Sequence, residues 1–240
     1  GKPWVYDMPN KPHGVREHAL NVDDSGNVWM VGGGHVALKF NREGKFLLQI
    51  GVLGETGGRN DTKLLGNPSN VDFDYKANEV VIADGYLNRR IIVFDMTTGA
   101  YKRHWGRYGK PPDDSFEPHP AAAWQATPAS NKPGPSGEFP RFAHAANVSR
   151  DGLVYAADRA HTSIQVFKTD GTFVREAPTP APFNSVSFST DPDQYYLYGN
   201  GVNATGTMYI MRRSDLQVLG SFKSPGQHFS DSDSKGNLYI

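Results

Sequence analysis

The stretch HAANVSRDGLVYAADRAHTSIQVFKTDGTFVREA, residues 144–177, decides the fold. It contains four short segments of strand-forming residues, separated by turns such as SRDG and KTDG. Apolar residues alternate with polar ones in SIQVF, as they do in a half-buried strand. The stretch therefore predicts a four-stranded antiparallel sheet formed by consecutive hairpins.

The same pattern recurs along the chain at intervals typical of repeat proteins. Further copies begin at His18, Asn70 and Ser185, and a shorter fifth copy, HFSDSDSKGNLYI, begins at His228. Four-stranded units of this size pack radially into a β-propeller. The motif DDSGNVW and the ADR and FKTDGTF pieces resemble the NHL repeat. We therefore predict an all-β, NHL-type β-propeller with six blades.

The ends of the 240-residue sequence leave two alternatives for closing the ring. Either the segment KPWVYDM near the N-terminus supplies a closing strand, or the sequence is part of a longer six-bladed protein. The second alternative is favoured. We treat residues 1–240 as one propeller domain, with a loop insertion at about 106–141 that is rich in proline, alanine and serine.

Composition excludes some classes of function. The chain has 25 basic and 25 acidic side chains and no long basic tract, so a nucleic-acid partner is not expected. No apolar run is long enough for membrane insertion, and no signal peptide is expected within this sequence. The absence of cysteine excludes disulfides and thiolate ligands.

Three histidines share one position in the repeat. Glycine follows each by eight residues and an aromatic residue follows each by eleven; the histidines are His18, His144 and His228. Asn70 and Ser185 are assigned to this position in the second and fourth repeats. The first strand of a propeller blade lines the central channel, so histidines from alternate blades of six converge with three-fold symmetry. Three imidazoles with an open coordination position suit catalytic zinc, although iron, copper or nickel also fits.

The loop after the second strand of each blade is expected at the same mouth of the channel. It holds Tyr86 in the second repeat and Arg159 in the third. A phenol beside a cation and a metal has a lowered pKa, which makes Tyr86 a candidate base. His35 and His161 share a later offset and are interpreted as polar loop residues. Trp124, within the insertion, is either a substrate contact or a side chain packed on the rim.

At this level of detail the chain resembles the peptidyl-α-hydroxyglycine α-amidating lyase family. The resemblance is carried, in order, by HALNVDDSGNVW, ADGYLNRRIIVF, AHAANVSRDGLVYAADRAHTSIQVFKTDGTFVRE and QHFSDSDSKGNLYI. The resemblance implies that three histidines, His18, His144 and His228, are zinc ligands. It also implies that Tyr86 is the catalytic tyrosine and Arg159 an active-site arginine. The implied substrate is a peptide or small molecule ending in an α-hydroxyglycine-like group, which is split into an amide and glyoxylate. The resemblance also implies an extracellular or periplasmic location.

The sequence departs from the family at several positions. The family's second essential arginine has no counterpart in the chain. A structural calcium ion is implied at the backbone oxygen of Leu20, yet Phe229 stands where the family has the second calcium ligand, an aspartate. Gly226 replaces a methionine beside the third histidine. Two alternatives to the lyase therefore stay open: a metal-dependent lactone or ester hydrolase, and a binding scaffold without catalysis. The oligomeric state is not indicated.

Overall fold

The computed structural model describes residues 16–114, 139, 143–159, 161–202, 206–224 and 228–240. Within these ranges the chain forms four complete antiparallel blades of four strands each, followed by a two-stranded sheet from the fifth repeat. The prediction of an all-β propeller with four-stranded blades is confirmed. Each blade is a simple meander, because every strand pairs with the next strand along the chain.

The strands of the first two blades are β1 (Arg16–Val22), β2 (Val28–Gly33), β3 (Val36–Phe40), β4 (Phe46–Ile50), β5 (Asn70–Asp74), β6 (Glu79–Asp84), β7 (Arg90–Asp95) and β8 (Tyr101–Trp105). Those of the later repeats are β9 (Ala143–Val148), β10 (Leu153–Asp158), β11 (Ser163–Lys168), β12 (Phe173–Pro178), β13 (Phe183–Phe188), β14 (Tyr196–Gly201), β15 (Thr207–Arg212), β16 (Gln217–Lys223), β17 (Asp231–Ser232) and β18 (Leu238–Tyr239). The only helix in the described ranges is a short 3₁₀ helix at Arg107–Gly109.

The glycine that follows each in-phase histidine by eight residues makes the turn between the first two strands of its blade. Gly26, Gly152 and Gly236 have φ of 79°, 81° and 81°, which an L side chain adopts only with strain. Each glycine N–H donates to the carbonyl three residues earlier at 2.9 Å. In the complete blades the aromatic residue three positions after this glycine is part of the core: Trp29 and Tyr155 are both buried.

Apolar layers between neighbouring blades form the core. One layer joins the first and second blades through Trp29, Phe73 and Ile82. A second joins the next pair through Val93, Ala146 and Phe167, and a third continues to the fourth blade. The innermost strands β1, β5, β9, β13 and β17 are successive neighbours. They therefore line the channel, as the sequence predicts.

The insertion is described only at its two ends. The 3₁₀ helix and residues up to 114 continue from β8, and Phe139 is buried against the core between the second and third blades. The rest of the insertion, including Trp124, lies outside the described residues, as do Gly226 and the segment KPWVYDM. None of the described residues forms a helix with the length and hydropathy of a membrane span.

Candidate metal centre

The three in-phase histidines come together at the channel. His18 lies on β1, His144 on β9, and His228 shortly before β17. One ring nitrogen from each lies within 4.8 Å of the others, a spacing at which all three can bind one ion. Their ring centroids are separated by 4.7, 4.9 and 5.1 Å, so the triangle is nearly equilateral. This is the three-fold arrangement predicted for histidines from alternate blades.

The strand register corrects the assignment of the histidine position in the second and fourth blades. His18 and His144 lie in β-bulges, one residue before a regular pair: Ala19↔Val31 in the first blade and Ala145↔Ala157 in the third. The matching pairs are Asn70↔Ala83 and Ser185↔Asn200. The equivalents of the histidines are therefore Ser69 and Asn184, not Asn70 and Ser185. The hairpins that these pairs close are longer in the second and fourth blades than in the first and third, which shifts the sequence count.

The two corrected residues orient the histidines. The Nδ1 atom of His18 lies 2.8 Å from the backbone oxygen of Ser69. In the same way, Nδ1 of His144 lies 2.5 Å from the backbone oxygen of Asn184. A carbonyl oxygen only accepts hydrogen bonds, so in both imidazoles Nδ1 carries the proton and Nε2 keeps its lone pair. Carbonyls that hold ligand histidines in this way fix the tautomer needed for metal binding.

Electrostatics keeps all three imidazoles neutral. Burial lowers the pKa of His18, with Arg159 adding to the effect. Burial also holds the pKa of His144 well below its usual value, and the neighbouring His18 acts in the same direction. Burial, His18 and Arg159 lower the pKa of His228 to about 4. Neutral imidazole is the form that binds a metal, so the cluster is ready to bind an ion at neutral pH.

Tyr86 and Arg159 lie beside the histidines, at the mouth where the sequence places them. The phenolic oxygen of Tyr86 is 2.9 Å from Nε2 of His18 and 3.1 Å from Nε2 of His144. Nη1 of Arg159 donates to the same oxygen at 3.2 Å. The phenol is therefore in contact with two candidate metal ligands and one guanidinium.

The expected lowering of the Tyr86 pKa concerns a phenol beside both a cation and a metal, and it stays a prediction. Burial raises the pKa of this phenol, and the opposing charge and hydrogen bond of Arg159 do not outweigh that effect. The sequence argument counted a neighbouring cation and a metal but not the cost of removing a phenolate from water. Further positive charge at the histidines is needed to bring the pKa down.

The positions expected to bind calcium do not form a calcium site. Phe229 fills the channel against the histidines, with ring centroids 4.6 Å from His228 and 5.8 Å from His144. Its aromatic ring offers no oxygen ligand, and Leu20 contributes one carbonyl at most. Because Ca²⁺ takes six to eight oxygen ligands, these residues do not fit the ion.

A ring of polar side chains lies further along the channel, in a cavity of about 470 Å³. Its central carboxylate, Asp72, accepts hydrogen bonds from the backbone N–H of Phe73 and Val148 and from the side chains of Asn21 and Asn147. Burial raises the pKa of Asp72 to about 7. Hydrogen-bond donors from three blades bind this carboxylate, so Asp72 links the three blades.

The two histidines that share the later offset, His35 and His161, are not members of the candidate metal-binding cluster. His35 occupies the turn between β2 and β3 with φ of 64°. His161 is buried, and its Nδ1 lies 2.8 Å from Oγ of Ser163. Their interpretation as polar loop residues agrees with these positions.

Known proteins resemble the chain in sequence. A peptidyl-glycine alpha-amidating monooxygenase from Mus musculus is 27% identical over 223 residues, which is 88% of this chain and 20% of that protein. Peptidyl-glycine alpha-amidating monooxygenase A from Xenopus laevis is 29% identical over 227 residues, or 88% of the chain and 21% of the relative. The chain is therefore similar to the amidating enzymes in sequence, at low identity. No protein-family model matches it.

The chain spans about a fifth of the length of these amidating enzymes. Among solved structures, the hydrazine synthase of Kuenenia stuttgartiensis superposes with a TM-score of 0.59 at 12% identity, over 96% of this chain and 54% of that one. At that identity the likeness concerns the fold alone.

Sequence reasoning missed three parts of the site. It did not find the carbonyls of Ser69 and Asn184, because a backbone atom leaves no signature in the residue type. It noted Phe229 only as a substitution, although the ring packs against all three histidines. It also missed the buried ion pair of Asp84 with Arg90 at the ends of the Tyr86 loop, which the acidic and basic residues in ADGYLNRR would have suggested.

Proposed function

We propose that the protein is a metal-dependent carbon–nitrogen lyase of the peptidyl-α-hydroxyglycine α-amidating type. One observation carries the proposal: the phenolic oxygen of Tyr86 touches the Nε2 atoms of two clustered histidines and the guanidinium of Arg159. A candidate base thus stands directly beside a candidate metal site. The sequence relationship to amidating enzymes supports the same reaction.

The histidines fit a transition-metal ion. All three are neutral, two have Nε2 free of a proton, and the cluster offers three nitrogen ligands, which suits an ion with an open coordination position. We propose zinc. A zinc ion held by His18, His144 and His228 would stabilise a developing oxyanion as a Lewis acid and would lower the pKa of the adjacent phenol.

The substrate we propose is a carbinolamide, R–CO–NH–CH(OH)–COO⁻. Tyr86 as phenolate takes the proton of the hydroxyl group, the C–O bond gains double-bond character, and the C–N bond breaks with its electron pair going to nitrogen. The proton then passes from Tyr86 to that nitrogen. The products are the amide R–CO–NH₂ and glyoxylate, with all atoms and charges conserved.

Arg159 has two roles in this scheme. Its positive charge opposes the rise that burial causes in the pKa of Tyr86, so it favours the phenolate. Its guanidinium also suits the substrate carboxylate, because a planar fork of N–H donors binds carboxylates well. Binding of the carboxylate by Arg159 would place the hydroxyl-bearing carbon beside the phenolic oxygen of Tyr86.

Metal content is the first test. Elemental analysis of the purified protein should find about one equivalent of zinc or another transition metal. The ion should be lost in the triple variant His18→Ala, His144→Ala, His228→Ala. The matched control, His104→Ala, removes a histidine that contacts Tyr101 and Asn60 instead and should keep the metal. A protein that binds no zinc after dialysis against it would support the scaffold alternative.

Activity is the second test. A peptide ending in α-hydroxyglycine is incubated with the metal-loaded protein, and glyoxylate is measured. Tyr86→Phe should lower kcat by at least about a hundredfold, the usual range for a lost general base. Turnover within a few-fold of the parent would refute the role of Tyr86. Hydrolysis of lactones or esters without glyoxylate would favour the hydrolase alternative. An extracellular or periplasmic location remains part of the proposal.

A further inference from the structure

The loop that carries Tyr86 is short and anchored at both ends. Strand β6 ends at Asp84, β7 begins at Arg90, and residues 85–89 connect them. Asp84 and Arg90 are fully buried and form an ion pair, with Nε of Arg90 2.9 Å from Oδ2 of Asp84. Tyr86 therefore projects from a connection whose two ends are held by one buried charge pair.

Hydrogen bonds hold the Asp84 carboxylate on both of its oxygens. Oδ1 accepts from the backbone N–H of Gly66 at 2.6 Å, and Oδ2 accepts from Nδ2 of Asn88 at 2.8 Å as well as from Arg90. Asn88 is inside the Tyr86 loop, whereas Gly66 belongs to the connection between the first and second blades. The N–H of Leu87 also donates to the carbonyl of Gly66 at 2.9 Å.

Arg90 fastens the loop to the same connection through its other nitrogens. Nη1 donates to the carbonyl oxygens of Arg59 and Asp61, each at 2.6 Å, and Nη2 donates to that of Leu64 at 2.9 Å. This planar set of donors has no counterpart in lysine, which presents one compact ammonium group. Through these hydrogen bonds, Arg90 attaches the loop that carries Tyr86 to the 51–69 connection.

Gly85 sets the distance between the tyrosine loop and His144. A Cβ atom at Gly85 would lie 2.0 Å from the carbonyl oxygen of Ala143, the residue before His144. Oγ of Ser69 donates to the same carbonyl at 3.0 Å, and the carbonyl of Ser69 holds His18. This close backbone contact fixes the tyrosine loop against the strand that bears His144, and Ser69 links the same carbonyl to His18.

We propose that Asp84, Arg90 and Gly85 are positioning residues, which hold the Tyr86 phenol at hydrogen-bond distance from the Nε2 atoms of His18 and His144. Their role in catalysis rests on the lyase function proposed above. None of the three touches the substrate in this scheme. They act through Tyr86, and their loss is expected to lower kcat by about 10- to 100-fold, the range typical of residues that support a metal site. KM should change less than threefold, because substrate binding does not depend on the proton transfer.

The experiment compares Arg90→Lys and Gly85→Ala with the parent protein. Arg90→Lys keeps the charge but loses the contacts to the 51–69 connection, and Gly85→Ala keeps the ion pair but pushes the loop away from Ala143. Arg103→Lys is the matched control, because Arg103 forms an ion pair with Glu79 in the same blade, away from the histidines. Near-ultraviolet circular dichroism and zinc content establish that each variant is folded and loaded.

A second readout does not depend on activity. In the zinc-free protein labelled with ¹⁵N-histidine, the Nε2 resonances of His18 and His144 report the single phenolic O–H that the two nitrogens share as acceptors, and Tyr86→Phe defines the complete loss of this donor. Arg90→Lys and Gly85→Ala should move both resonances towards the Tyr86→Phe values, whereas Arg103→Lys should leave them at the parent values. Assignment follows from His18→Ala and His144→Ala.

The two readouts separate the two proposals. A fall in kcat with little change in KM, together with the resonance shifts, supports positioning. Parent values of both resonances in folded Arg90→Lys and Gly85→Ala would overturn it. If the parent releases no glyoxylate, the lyase function fails, and the resonances still decide whether these residues hold Tyr86. If Arg90→Lys does not fold, Gly85→Ala decides alone.

Discussion

The affinity of the histidine cluster for zinc should depend weakly on pH. For three histidines with the ordinary pKa of about 6.5, a change from about pH 7.5 to about pH 5.5 costs about tenfold in affinity per histidine and about a thousandfold in all, since each must lose a proton to bind. Burial lowers all three pKa values here, that of His228 to about 4 and that of His144 well below its usual value. Protons therefore compete little in this interval, and the expected loss is only a few-fold.

Competition with a chromophoric zinc chelator of known affinity at each pH measures this dependence. The parent is compared with His104→Ala, which removes a histidine outside the cluster. Both should show the same shallow dependence. A thousandfold loss between the two pH values would refute the reasoning, because it would mean that the imidazoles are hydrated and titrate as free side chains.

Three substitutions test the physical account of the fold, each by urea unfolding. Glu176 accepts hydrogen bonds from Ser163 and Arg107 that outweigh burial and lower its pKa to about 2; Glu176→Gln should cost about 1–2 kcal/mol near pH 7 after allowance for solvent screening. The contribution of ionised Glu176 to the free energy of unfolding is complete above about pH 4.5 and is lost as the pH falls towards 2. If the parent and Glu176→Gln differed in stability by the same amount at low and at neutral pH, this account would be wrong. Asp23→Ala removes the carboxylate that binds Nε1 of buried Trp29 and should cost about 1–3 kcal/mol; no loss would show that water replaces it. Gly51→Ala should cost about 1–3 kcal/mol, because Gly51 has φ of 85° and its Cβ would lie 2.4 Å from the carbonyl oxygen of His35; an unchanged midpoint would mean that the turn relaxes freely.

The propeller was predictable because each repeat carries its own turn chemistry. Gly152 and its counterparts adopt positive φ, and alternating apolar residues such as those of β11 fill the layers between blades. Spacing alone placed His18, His144 and His228 together, since a repeat that is fixed in the sequence is also fixed around the axis. The same counting failed by one residue at Ser69 and Asn184, because the length of the first hairpin varies between blades and only strand pairing shows the register.

The environment of Tyr86 was harder to predict. Its position at the mouth followed from the blade pattern, but its pKa depends on burial, which the sequence does not display. The contacts of Arg90 were also beyond reach, because they join β7 to backbone carbonyls that are 26 to 31 residues away in the chain. Long-range contacts to the backbone are independent of residue type, so no motif records them.

The carbonyls of Ser69 and Asn184 belong to the blades that follow those of His18 and His144. Each of these two histidines thus belongs to one blade and is oriented by a hydrogen bond to a carbonyl of the next blade. A slip of about an ångström between adjacent blades would misdirect an imidazole while leaving every strand of both blades intact. The metal affinity of the histidine cluster should therefore depend on how well adjacent blades pack against each other. Substitutions in the apolar layers, far from the histidines, should lower that affinity before the blades themselves unfold.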